Sequence, residues 1–179
     1  RLLRLQQVIC GYLGTGPGEP IRRIDEKKNP RLELTVEEIL PDLDGQVILW
    51  ARFKEDITQL MDALGRQARR YDGNVDHEDR AIAKAAFQAG DIKYLVMSSA
   101  GAEGLTLIGA KSSIFYSNDY RAISREQKEG RNWRIGQKSS CNVIDIICES
   151  TVDNDIVTAL RNKFDLQSQL TGDKFRRML

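Results

Sequence analysis

The chain contains no Gly-x-x-x-x-Gly-Lys-Ser/Thr, and no Asp-Glu pair ends a strand-like run. A phosphate cradle of that type needs its glycine-rich turn followed by lysine, so the chain carries no such cradle of its own. Gly14-Thr15-Gly16-Pro17-Gly18 lacks the Lys-Ser/Thr continuation and reads as loop. Histidine is represented by His77 alone, in the first turn of an exposed helix, and reads as surface decoration. Cys10, Cys141 and Cys148 show neither CxxC nor zinc spacing, so no metal site is indicated. Cys141 and Cys148 lie in or beside an apolar strand pattern and are expected to be buried thiols of a reducing compartment. No apolar run approaches the roughly 20 residues of a membrane span, and no secretory signal precedes the first residues. Net charge is also nearly absent, at +1, and says nothing about partners because a basic stripe can hide in a balanced total.

What is present fits one globular domain: 179 residues, 41% hydrophobic and 30% charged. The chain opens at Arg1 in mid-pattern without an initiator Met, which reads as a piece of something longer. Residues 1–13 show a short helical pattern, and 14–30 read as loop or linker. Asn29 and Pro30 supply a cap and first position for a helix to about Leu40, with Leu32, Val36, Ile39 and Leu40 apolar. QVILWA is a continuous apolar run, as in a buried parallel strand. Ile57, Leu60, Met61 and Leu64 mark a helix that stops at Gly65, and ARRYDG is a short strand ending in a turn. Asp76 caps a helix whose expected core face is Ile82, Ala85, Ala86 and Ala89, with Phe87 nearby and Gly90 ending it. YLVMSS, SIFYSN and NVIDII are further strands, and Thr151 opens a last helix through Ile156, Leu160 and Phe164. Strands alternating with helices predict an α/β fold whose parallel sheet is covered on both faces. In such sheets ligands sit at the carboxyl ends of the strands.

The chemistry concentrates between Ser98 and Gln137. Ser98-Ser99-Ala100-Gly101-Ala102-Glu103-Gly104-Leu105-Thr106 follows a strand directly, and small residues let backbone N–H groups approach phosphate. A tight strand-to-helix turn with no ligand is the alternative. Gln127, Arg131 and Arg134 share one face of a helix by their spacing of four and three. Guanidinium stays charged and grips phosphate oxygens with paired hydrogen bonds, so this face suits a polyanion such as a triphosphate. Ser124-x-x-Gln127 has capping-box spacing, which starts the helix near Ser124 and gives Gln127 a competing role as cap. Asp72 and Arg80 could pair, and Phe87 reads as core rather than as a base stacker.

AGAEGLTL, SNDY and Gln127-x-x-x-Arg131-x-x-Arg134-Ile135-Gly136-Gln137, in that order, resemble the second motor lobe of the Swi/Snf-like family of helicase-related ATPases. The resemblance runs from about Leu5 to the helix after Thr151, and Thr106 after Gly104-Leu105 gives it a bacterial or phage flavour. It implies a RecA-like lobe over 32–170, an inter-lobe helix and linker over 1–31, and a loosely ordered tail over 171–179. It also implies that Arg131 and Arg134 are arginine fingers reaching ATP on another lobe, with Gln127, Gly104, Thr106 and Asp119 near the nucleotide. Arg52, Ser98, Ser99 and Gly73 would touch the duplex DNA backbone. Trp133 stands where many relatives have His, and Arg121-Ala122 where they have Asn-Pro. ATP and Mg2+ would be held mainly by a first lobe of the same polypeptide, so this piece alone should not hydrolyse ATP. The expected setting is the cytoplasm of a bacterial or phage-infected cell. A lobe of an RNA helicase, or a non-catalytic motor-derived interaction module, are the rival readings.

Overall fold

The structure is a computed structural model and describes residues 2–14, 20–25, 28–98, 107, 109–119, 121–130 and 140–171. In chain order the elements begin with α1 (Leu2–Ile9), β1 (Tyr12–Leu13), β2 (Arg22–Arg23) and α2 (Pro30–Glu33). A π-helical segment, Leu34–Ile39, continues α2 and leads to β3 (Gln46–Trp50) and α3 (Lys54–Leu64). Next come β4 (Ala68–Tyr71), α4 (His77–Ala89), β5 (Tyr94–Met97), β6 (Ala110–Phe115), α5 (Ala122–Glu129), β7 (Asn142–Asp145) and α6 (Val152–Thr171).

Five strands form one parallel sheet in the order β4-β5-β3-β6-β7, flanked by helices on both faces, as the alternation of elements predicts. β3 is central because its side chains are apolar in both directions. Val47, Leu49 and Ala51 meet Ile57 and Leu60 of α3 and Leu40 beyond α2. Ile48 and Trp50 meet Ala83 and Phe87 of α4 on the opposite face. Each such fully buried large side chain stabilises the fold by about 1.5–3 kcal/mol. β1 and β2 form a separate antiparallel pair, β1 at the end of the stretch that reads as helical and β2 within the one that reads as loop.

The helix signals behave locally as their chemistry predicts. Asn29 Oδ1 accepts from the Leu32 N–H at 3.3 Å with Pro30 following it. Asp76 Oδ1 accepts from the Asp79 N–H at 2.8 Å, and Gly90 closes α4 in the left-handed region at φ 83°.

Four expectations need correction. The buried face of α4 is Ala83 and Phe87, whereas Ile82 is 55% exposed and Ala85 and Ala89 are also exposed. Alanines occupy most sides of this helix, so the bulk of Phe87 decides which side packs, and Ala83 lies one turn before it. Cys148 is exposed and Cys141 half-buried, while Cys10 is the buried thiol. The reason is position: β7 is an edge strand, and Cys148 lies beyond its end. α5 starts at Ala122 rather than near Ser124, and its N-cap Arg121 makes no side-chain capping bond, so Gln127 is not a cap. Asp72 pairs with Arg70 at 2.7 and 2.9 Å, two residues back along the strand, rather than with Arg80.

Candidate functional site

Parallel strands end on the same edge of a sheet, so whatever follows β4, β5, β3 and β6 is gathered there in register. Tyr71 aligns with Met97, Met97 with Trp50, and Trp50 with Phe115. The residues just beyond are Asp72-Gly73, Ser98, Arg52 and Ser117-Asn118-Asp119. Four of the expected contact positions thus share one edge: Gly73 exposed, Ser98 and Arg52 half-buried, and Asp119 buried. Gln127 is exposed on α5. Ser99, Gly104, Thr106, Arg131 and Arg134 lie outside the described residues.

Arg52 is fixed at three points. Its backbone N–H donates to Ser117 Oγ at 2.8 Å, its Nη1 donates to Gln6 Oε1, and its guanidinium lies over the Phe53 ring, 5.4 Å from the centroid. Ser117 Oγ in turn donates to Asp56 Oδ2 at 2.5 Å. Asp56 is fully buried, and burial pushes its carboxyl up to about 6, against the opposing hydrogen bond from Ser117 and the charge of Arg31. Burial also raises the Cys10 thiol and the Tyr12 and Tyr116 hydroxyls around it. Behind the edge, Asp56 thus keeps its proton to a higher pH than an ordinary carboxyl, and the thiol and hydroxyls around it stay neutral.

The loop after β6 is tied to α5 by buried charges. Asn118 Nδ2 donates to Asp145 Oδ1 at 2.7 Å, and Asn118 Oδ1 accepts from Arg125 Nη1 at 2.9 Å. Arg125 also forks onto both oxygens of Asp145 at 2.5 and 3.1 Å, reaches Glu129 Oε1 at 2.5 Å, and covers the Phe115 ring. A fork of this kind fixes orientation as well as adding energy. Lys128 Nζ lies 3.8 Å from Asp119 Oδ2 and near the rings of Trp50 and Phe115. Burial pulls its ammonium down to about 8; Asp119 works against this, and the charges of Arg125, Arg121 and Arg52 add to it. Asp119 Oδ1 accepts from the Arg121 N–H at 2.9 Å, which starts α5 from the strand end.

Sequence reasoning missed Gln6, Asn118, Arg125 and Lys128. Their signal was present for two of them: Arg125, Lys128 and Glu129 repeat at three and four and form the face of α5 turned to the sheet. Gln127, chosen for its spacing to Arg131 and Arg134, points the other way. Arg31 was missed too. It is buried, donates to the Tyr116 carbonyl at 2.5 Å and the Ile146 carbonyl at 2.9 Å, and pairs with Asp153 of α6. Among the described residues no group of three or more His, Cys, Asp or Glu is placed to hold a metal ion, and no helix is long and apolar enough to cross a membrane.

Comparison with known proteins gives this edge a context. The chain is 30% identical over 148 residues to the DNA repair protein rhp54 of Schizosaccharomyces pombe, covering 76% of this chain and 17% of that protein. It is 28% identical to the protein CHROMATIN REMODELING 19 of Arabidopsis thaliana, covering 75% and 19%. It is 31% identical to the DNA repair and recombination protein RAD54-like of Homo sapiens, covering 65% and 17%. The chain therefore spans less than a fifth of the length of these relatives. Its fold is similar to the C-terminal part of the Fun30 ATPase domain, with a TM-score of 0.63 at 22% identity over 72% of this chain and 43% of that one. It is also similar to the C-terminal domain of the DEAD-box protein Dbp5, with a TM-score of 0.64 at 17% identity over 76% and 79%.

These relatives support the Swi/Snf-like resemblance but not its bacterial or phage refinement. The expected bacterial or phage-infected cytoplasm is overturned by the same finding, since the relatives named are eukaryotic DNA repair and chromatin-remodelling proteins. That expectation rested on Thr106 alone, and one residue is too little to separate branches of a family. Residues 30–136 match the helicase conserved C-terminal domain, and the chain belongs to that family.

Proposed function

We propose that the chain is the second motor lobe of a DNA-dependent ATPase that moves along duplex DNA. The observation that carries the reading is the single sheet edge gathering Gly73, Ser98, Arg52 and Asp119 in a member of the helicase C-terminal family. Arg52 and the N–H and hydroxyl groups of Gly73, Ser98 and Ser99 would hold the DNA backbone, giving affinity without sequence preference and a strong salt dependence. Arg131 and Arg134, in the segment after α5, would act as arginine fingers, with Gln127, Gly104, Thr106 and Asp119 close to the nucleotide. The basic groups at the same edge that reach solvent, Arg52 and Arg121, suit a polyanion. ATP and Mg2+ would be held mainly by a first lobe of the same polypeptide, and bound ATP would supply the free energy of each closing and opening of the lobes. This chain's part is to orient cations toward the phosphates and to keep the DNA contacts in step with them.

The domain reading follows: 1–31 as inter-lobe helix and linker, 32–170 as the RecA-like lobe, 171–179 as tail. The test is ATP turnover by the full-length protein with duplex DNA or RNA as activator, beside the isolated chain. Stimulation by duplex DNA and no turnover by the isolated chain are expected. Preferential stimulation by RNA would favour the RNA-helicase lobe, and robust turnover by the isolated chain would overturn the assignment of ATP to another lobe.

A further inference from the structure

Gln6 is an anomaly in its own helix. α1 exposes Leu2, Leu3, Leu5 and Val8 by 41% or more, yet buries the amide of Gln6 to 2% exposure. Both ends of that amide are used. Oε1 accepts from Arg52 Nη1, and Nε2 donates to the Asn118 carbonyl at 3.0 Å. These partners are 46 and 112 residues away in sequence, one at the end of β3 and the other beside Asp119 at the end of β6. The segment after α1 adds a second hold on Arg52: Tyr12 packs edge-on against Phe53, whose ring lies under the Arg52 guanidinium. From Asn118 the bonds continue to Arg125 and, through Asp119, to Lys128 on α5.

We propose that Gln6 is a positioning residue: it aims Arg52 at the DNA backbone and locks that aim to the loop from which α5 departs. The inference rests on the reading of Arg52 as a DNA contact. A buried amide satisfied at both ends is costly to disturb, because each partner is then left without its bond in a low-dielectric site. Movement of Arg52 toward a phosphate is thereby coupled to the Asn118-Asp119 loop, and through it to the helix that precedes Arg131 and Arg134.

The test uses the full-length protein with Gln6→Met, Gln6→Glu, Arg52→Ala and the Gln6→Met/Arg52→Ala pair. Duplex DNA affinity is measured across a salt series, together with DNA-stimulated ATP turnover and thermal melting. Gln6→Met keeps the length of the side chain and removes both polar ends. Arg52→Ala and Gln6→Met should each weaken DNA binding about tenfold and lower the salt slope by about 0.9, the value of one phosphate contact. The double variant should bind no worse than Arg52→Ala alone. Gln6→Glu keeps the acceptor for Arg52 but faces the Asn118 carbonyl with an oxygen. It should hold DNA affinity within about threefold while the maximal stimulated turnover falls, a split that loosened packing would not produce.

Losses that multiply in the double variant, or weaker binding by Gln6→Met with an unchanged salt slope, would overturn the inference. So would Gln6→Glu losing DNA as Arg52→Ala does, which decides the matter even if Gln6→Met fails to fold. Should Arg52→Ala itself leave affinity and slope untouched, the DNA-edge reading fails first and this inference with it.

Discussion

Asp56 sits in the first turn of α3 with no exposure, and burial holds its carboxyl up to about 6 against an ordinary 3.8. Between those values the folded chain keeps a proton that the unfolded chain has released. Stability therefore falls as pH rises through that window and is lowest above it. A displacement of about two units corresponds to about 3 kcal/mol lost by pH 7.5. Asp56→Asn removes the charge and retains an oxygen to accept from Ser117 Oγ, which now donates to Asp56 at 2.5 Å. The variant should be more stable than wild type by up to about 3 kcal/mol at pH 7.5, and by about 1 kcal/mol or less at pH 4.5, where the wild-type carboxyl is itself mostly protonated. Urea unfolding at several pH values, with an unchanged denaturant slope, reads the difference directly. A variant less stable than wild type at pH 7.5, or a difference that stays constant as pH falls, would refute the reasoning.

Arg31→Met should destabilise the chain by about 3–5 kcal/mol in chemical unfolding, because Asp153 is left as a buried unpaired carboxylate and the Tyr116 and Ile146 carbonyls lose their donor. Phe87→Ala, at the 1% exposed centre of the α4 face, should cost about 3–5 kcal/mol in the same assay. A cost below about 1 kcal/mol would mean that α4 packs by another side. Asp76→Ala removes the bond to the Asp79 N–H and should cost about 1 kcal/mol.

The architecture was legible because its signals are local. QVILWA and YLVM are short, continuous apolar runs typical of strands buried on both faces, and Asn29-Pro30, Asp76 and Gly90 mark helix ends by their own hydrogen-bonding and φ preferences. The edge of the sheet was legible as well, since alternation of strand and helix puts Gly73, Arg52, Ser98 and Asp119 at carboxyl ends without any knowledge of pairing. What the sequence concealed is whatever depends on distant partners. Gln6 is one polar position in the short helical pattern of residues 1–13, and only the packed structure turns its amide inward to meet Arg52 and Asn118. Arg31 follows a proline in a first turn, which suggests an exposed charge. It is buried because Asp153, 122 residues on, comes to meet it. The α4 face failed for a different reason: a helix rich in alanine has no strong apolar stripe, so periodicity could not choose a side.

The central claim is that this lobe completes an ATP site by contributing arginine in response to duplex DNA. ATP turnover by the full-length protein, with and without duplex DNA, beside Arg134→Ala in the same background, tests it most directly. The account predicts turnover that duplex DNA raises and that Arg134→Ala lowers by about three to five orders of magnitude with nucleotide binding retained. Turnover that responds neither to DNA nor to the substitution would contradict it and leave an interaction module built on a motor fold.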